Sequence, residues 1–361
     1  MRKLWNIKPS DVDGLATATN NAAPGDEVRL LAGVHRIATA AKSAAVRLNS
    51  GVTLSAEPGA EVKLTGNGCF ALAVNATSVR VDGVRVAWES PFVGNFASAF
   101  VFRGCRSVLV TNCRVDNAGA SAVVLCQGAG RAPDGRLFDN LGEGYGPTEM
   151  ATVQNCHFYG CVGPVVGLKP GGARHVIVAS NFFFSYGTYA INAEAEGQPD
   201  GVAEWITISD NEIFDGNTRW RGDSVGPLFA ISVEGARNVR IVRNKITSVR
   251  GHGASFAAGV CVTTSPSQSD LFTSDVLIER NRFESILGSG KGRTAAVLLL
   301  PGDRSIDGVT IVRNSHFTTG FDTKPHVRVL ALRADKFKSA GRVECLDSDD
   351  PVTDPDSVVV K

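Results

Sequence analysis

Five positions stand out for their chemistry: Gln127, Lys169, Glu194, Glu234 and Thr263. Each ends or follows a short apolar run, such as Tyr-Ala-Ile-Asn-Ala before Glu194 and Phe-Ala-Ile-Ser-Val before Glu234. With Ile191, Ala193, Ile231 and Val233 pointing inward, period-2 alternation turns Asn192, Glu194, Ser232 and Glu234 outward. Neighbouring strands then hold Glu194 and Glu234 about 5 Å apart. Like charges that close resist double ionisation, so one carboxyl keeps its proton while the other stays charged. That division suits an acid and a nucleophile or base on a glycosidic bond. A separation of about 5–5.5 Å fits a nucleophile, and a wider one fits attack by water. Lys169 would keep Glu194 ionised or bind an acidic sugar. The plainer role is structural, because outward Glu and Lys pair modestly across many sheets.

A second group lies in the loops. The run Asp215-Gly-Asn-Thr-Arg219-Trp220-Arg221-Gly-Asp223 joins a planar aromatic to two Arg and two Asp. An aromatic face stacks on a sugar ring, and Arg pairs with carboxylates bidentately. Arg250 follows one turn later, and His252 between two glycines is a general acid/base candidate. Solvated ion pairs are the ordinary alternative for this group. His157 and His316 follow strand turns and read as structural ladder residues. The longest insertion, 127–150, starts beside the Glu/Lys row and reads as a cleft wall or a contact with another protomer. Its acidic residues offer weak Ca²⁺ ligation, since no DxDxDG spacing occurs. No other cofactor and no metal centre is expected.

These residues need a frame, and a repeat supplies it. The chain has 361 residues with 39 Gly and 2 Met, and β-branched runs outnumber helical patterns. One phrase recurs, a β-branched run, a bend, then a second strand-like pair. Its bend residues are Gly83, Asn112, Asn155, Asn181, Asn211, Asn244, Asn281 and Asn314. Asn suits the bend because it tolerates the left-handed conformation, and stacked Asn side chains can bond as a ladder. The apolar strands described above follow each phrase. One such unit cannot bury its apolar face, so neighbours must stack.

On these repeats, residues 10–335 resemble the right-handed parallel β-helix superfamily, the pectate-lyase-like fold. The stretch from Leu15 through Pro24-Gly25-Asp26 to Ile37 resembles that superfamily's capping helix and first strand. The resemblance implies an all-β fold, a right-handed parallel β-helix with an N-terminal capping helix. It implies a single domain over 1–361: cap and first strand at 10–37, coils at 38–333, C-terminal cover and tail at 334–361. The polygalacturonase set is unmatched apart from Gly251-His252-Gly253. The pectate-lyase and alginate-epimerase motifs are missing too, and no residue aligns with inulin fructotransferases.

The functional expectation is a carbohydrate-active enzyme that cleaves or transfers glycosidic bonds in a groove along the helix. Glu194 and Glu234 act in it, while Gln127, Asn192, Arg219, Trp220, Arg221, Asp223 and Arg250 bind substrate. On a uronate, elimination would recruit Lys169, His252 or an Arg as base, and the glutamates would recede. The rival readings are a non-catalytic spike module that binds glycan or assembles as a homotrimer, and a tailoring enzyme for a small molecule. A net charge of +1 gives no general affinity for nucleic acid. No run approaches the ~20 apolar residues of a membrane span. Basic residues at Met1–Asn6 lack a following apolar stretch, so no secretory signal is expected in this sequence. The eight cysteines form no CxxC pair and mostly sit in apolar runs, which reads as buried thiols rather than a zinc site.

Overall fold

The computed structural model describes residues 2–41, 43–89, 97–127, 146–168, 172–195, 203–217, 227–252, 256–264, 273–289, 293–300, 306–317, 327–331 and 343–345. Lys169, Arg219, Trp220, Arg221 and Asp223 lie outside these residues, as do the side chain of His252 and most of the 127–150 insertion.

The strands form three sheets of twelve, ten and ten members. Each strand pairs in parallel with its counterpart one turn earlier and one turn later, and successive strands of the chain step from the first sheet to the second to the third. This is a parallel β-helix. Short Val- and Ile-rich runs suit it because each strand buries one face and is paired on both edges. Ile206 and Ile208 face inward from the first sheet, Ile213 from the second, and Ile231 and Val233 from the third. With their counterparts on other turns they build one continuous core from Ile7 to Val329. Each fully buried side chain of this kind contributes about 1.5–3 kcal/mol.

The expected cap is present, with differences at both ends. The helix spans Val12–Asn21 and buries Leu15 and Ala18 against the core. Asp11 caps it by accepting from Gly14 N at 2.9 Å. A strand at Leu4–Ile7 precedes it and pairs with Glu27–Leu30, so the first sheet begins before residue 10. Val343–Cys345 adds a strand beyond Val309–Ile311, so the coil also continues past 333.

The bend from the first sheet to the second separates two roles that the repeat had merged. The left-handed residues are Gly83, Asn112 and Asn155, then Ser180, Asp210, Arg243, Arg280 and Arg313. The inward ladder sits one residue later. Asn181, Asn211, Asn244 and Asn281 are buried there, with Asn314 at the end. Cys113 and Cys156 hold the equivalent places beside Asn112 and Asn155, and Cys156 N donates to Asn181 Oδ1 at 3.0 Å. Asn112 and Asn155 are therefore bend residues and not ladder residues. Seven cysteines are free and buried, as expected from their apolar runs. Burial pushes the Cys69, Cys126 and Cys161 thiols up to about 12.

Candidate functional site

The third sheet holds the glutamate pair. Its strands Tyr189–Glu194 and Leu228–Glu234 run in register, with Asn192 beside Ser232 and Glu194 beside Glu234. Thr263 follows Glu234 on the next strand. Ile191, Ala193, Ile231 and Val233 face the core, so the expected alternation places both glutamates on the outer side. Adjacent strands lie about 4.8 Å apart.

That outer side is not the open row that alternation suggested. Glu194 is 2% exposed, Asn192 and Ser232 are 1% exposed, and Glu234 and Thr263 are partly open. Phe229, Ala258, Cys261, Ala295 and Leu298 form a separate buried apolar cluster on this same outer face. The polar group thus sits beside a dry patch. Asn192 Nδ2 donates to Glu194 Oε2 at 2.5 Å. Among the described residues, Asn192 Oδ1 and Ser232 Oγ, on adjacent strands, have no hydrogen-bond partner. Leaving such an atom unsatisfied in the interior costs about 1–3 kcal/mol. Together these atoms offer an acceptor and a hydroxyl beside two carboxylates. That arrangement can receive the hydroxyls of a polar ligand.

The rest of the row differs from expectation in three places. Cys126 is the residue in line with Arg103, and Gln127 falls one position past it, buried at 5% exposure. Gln127 is thus not a member of the row. Thr263 Oγ1 donates to Leu300 O at 2.7 Å, which ties it into the sheet. Arg103 occupies the same row two residues after Val101 and is only 2% exposed, yet it was not anticipated. It lies against Cys126, where it opposes the rise that burial imposes on that thiol. The sequence carried a signal for it: Phe-Val-Phe-Arg103-Gly104 repeats the form of Ile-Ser-Val-Glu234-Gly235. In both, a charged outer residue precedes a left-handed glycine, with φ of 57° at Gly104 and 62° at Gly235. The glycine turns the chain directly into the first sheet.

Arg250 is exposed and lies on the second sheet, in register with Asn217 and Leu287. The backbone of His252 ends the same strand. Both precede the third-sheet strand Phe256–Thr263, whereas the glutamates close their own third-sheet strands. The two groups therefore lie at opposite ends of that sheet, roughly 20 Å apart along a strand. Of the two histidines read as ladder residues, His316 stacks on the core ring of Phe283 at 5.4 Å, but His157 is exposed and packs on Tyr159 and Phe182. Among the described residues, no group of three or more His, Cys, Asp or Glu could hold a metal ion.

The topology and the comparisons agree on the class: this is a right-handed parallel β-helix. Residues 98–271 match the family described as the right handed beta helix region. A sequence search of curated proteins gives no match. Three similar solved structures extend the fold likeness to most of the chain. An alginate lyase from Paenibacillus sp. str. FPU-7 has a TM-score of 0.58 at 12% identity, covering 91% of this chain and 97% of its own. Geobacillus virus E2 ORF18 has a TM-score of 0.54 at 8% identity, covering 90% and 60%. The surface adhesin PfbA of Streptococcus pneumoniae has a TM-score of 0.52 at 12% identity, covering 95% and 90%. At these identities the likeness is one of fold.

Proposed function

We propose that the chain is a carbohydrate-active enzyme that cleaves or transfers glycosidic bonds at the outer face of the third sheet. One observation carries this reading: Glu194 and Glu234 stand side by side on adjacent strands, one buried and one partly open. Burial favours the neutral form of a carboxyl, and solvent favours the charged form. Glu194 then serves as the acid that protonates the leaving oxygen. Glu234 serves as the nucleophile, since adjacent strands about 4.8 Å apart suit the close spacing of an acid and a nucleophile. Asn192 orients the Glu194 carboxyl through its amide. Asn192 Oδ1 and Ser232 Oγ receive sugar hydroxyls, and binding there satisfies buried atoms that have no partner among the described residues. A polysaccharide substrate agrees with the alginate lyase among the fold neighbours.

The burial of Glu194 also favours a second reading, a glycan-binding module without turnover, and the adhesin among the fold neighbours is in keeping with it. A substrate screen separates the two. Polygalacturonate, alginate, glycosaminoglycans and fructans are assayed for reducing ends and for the ultraviolet absorbance of unsaturated products. Reducing ends without absorbance are expected. Glu194→Gln and Glu234→Gln should each lower turnover by about 10²-fold or more, with the thermal midpoint little changed. Unchanged turnover in both variants sinks the two-carboxylate mechanism. Absorbance would transfer the chemistry to uronate elimination. Retention on a glycan without product would favour the binding module.

A further inference from the structure

The outer face of the second sheet carries a patch that the third-sheet site does not use. Five rings, His157, Tyr159, Phe182, Phe184 and Phe214, stand on three consecutive strands, paired in register. Phe182 and Phe184 lie nearly parallel, at 9° and 6.4 Å, and Phe182 meets Phe214 at 5.4 Å. Tyr159 packs on Phe184 at 6.1 Å. Phe184 is 41% exposed, a large apolar group held in water. Cations close both ends of the stack, Arg114 at 4.5 Å from the Tyr159 centroid and Lys245 at 5.1 Å from that of Phe214. Neighbouring rings and these cations take up the ring faces, so the patch offers solvent mostly ring edges. A sugar needs an open ring face on which to lie. Ring edges suit the side chains of another protein surface.

We infer that this face binds a second copy of the same chain, in an antiparallel two-fold arrangement centred on the strand Phe182–Phe184. Three observations support that occupant. First, the strand is the sixth of the ten in its sheet, so the aromatic patch lies at the middle of the face. An aromatic centre within a charged rim is the usual anatomy of a protein interface. Second, the rim charges are already matched within this chain. Arg114 pairs with Asp116 at 2.9 Å, Arg85 pairs with Glu61 at 3.2 Å, and Arg282 pairs with Glu284. With a net charge of +1, two copies meet without bulk repulsion. A two-fold at Phe182–Phe184 also brings the strand of His157 opposite that of Glu212, and the strand of Asp116 opposite that of Lys245. Asp116 and Lys245, of opposite sign, then stand on facing strands. Third, the face is large enough. Ten strands at about 4.8 Å make it roughly 45 Å long, and 10–15 Å of width gives on the order of 600 Å² per copy. Stable interfaces bury about 600–1,000 Å² per partner.

The test is the mass in solution at micromolar concentration. Twice 38.0 kDa is expected, and Phe184→Glu should return the chain to 38.0 kDa with an unchanged circular dichroism spectrum. The symmetry is read separately. Under mild oxidation Phe184→Cys should give a disulfide-linked dimer, because position 184 meets itself across the two-fold. Phe317→Cys, on the tenth strand, should not, because that strand falls opposite the second. A wild-type mass of one or three chains overturns the proposal, as does a dimer indifferent to Phe184→Glu. A monomer held on immobilised polysaccharide and released by Phe184→Glu assigns the face to glycan and also overturns it. None of these outcomes depends on the activity of the glutamate pair.

Discussion

Asp26 shows how much one side chain can fix at the N-terminal end. Its carboxylate accepts from Lys3 N at 2.8 Å, Ala23 N at 3.0 Å and Trp5 Nε1 at 3.3 Å. It thereby ties the first strand, the end of the helix and the Pro24-Gly25 bend together. The backbone donors, Lys3 first and then Ala23, hold this carboxyl below its ordinary value of 3.8. A carboxyl depressed in the folded state contributes stability above its unfolded value and loses it as pH falls through the folded value. The contribution of Asp26 is thus complete at neutral pH and fades below about pH 3.8. Asp26→Asn keeps the shape and removes the charge. Its thermal midpoint should lie below that of wild type at pH 7, and the gap should narrow as the buffer is taken into the acid range. A gap that stays constant with pH would refute the electrostatic part of this account.

At the scale of elements, the asparagine ladder is the clearest case of a side chain serving the fold. Asn181 N and Nδ2 both donate to Asn211 Oδ1 at 3.0 Å, and Asn211 Nδ2 donates to Val178 O and Asn244 Oδ1 at 2.9 Å. Asn211→Ala strips partners from two donors on Asn181 and from one carbonyl. At about 1–3 kcal/mol for each buried group left unmet, a loss of about 3–5 kcal/mol is expected in chemical denaturation. Asn112→Gly should cost under about 0.5 kcal/mol, because glycine keeps the left-handed bend and that side chain bonds only on the surface. Cys156→Asn should be neutral or stabilising, since the new amide would extend the ladder by one turn. The sequence displayed the bend and hid its phase. In Asn112-Cys113 and Asn155-Cys156 the Asn supplies the left-handed residue, whereas in Ser180-Asn181 and Asp210-Asn211 the preceding residue does. Arg243 is a poor candidate for that conformation on its own, but Asp210 on the turn before holds its guanidinium at 2.7 and 2.8 Å. Contacts between turns made that choice, and local propensity does not contain them. The same limit applies at the glutamates. The register pairs the two glutamates as the repeats imply, but period-2 alternation carries no information on burial, and Glu194 is 2% exposed. Alternation also could not tell Gln127 from Cys126, because one residue of slip changes the side of a strand.

Seen as a whole molecule, the chain is a stack in which each turn rests chiefly on the turn before and the turn after. Stability in such a stack is close to a sum of turn terms and nearest-neighbour interfaces, so opening from an end breaks one interface where opening the middle breaks two. The ends are unequal. At the N-terminal end the helix Val12–Asn21 covers the core with Leu15 and Ala18. Towards the other end, the last third-sheet strands among the described residues are Arg293–Leu300 and Val327–Ala331, both beyond the one that holds Cys261. The buried thiols report on this difference at seven places along the stack. In the native protein all seven should resist a thiol reagent, since they are buried and burial raises the thiols of Cys69, Cys105, Cys126 and Cys161 to about 11–12. Below the denaturant midpoint, Cys261 should be modified first, Cys113, Cys126, Cys156 and Cys161 later, and Cys69, on the second third-sheet strand from the capped end, among the last. Pulsed alkylation followed by peptide mass spectrometry reads this order directly. Simultaneous labelling of all seven would mean that the continuous core from Ile7 to Val329 opens as one unit, and that the nearest-neighbour description fails for this chain.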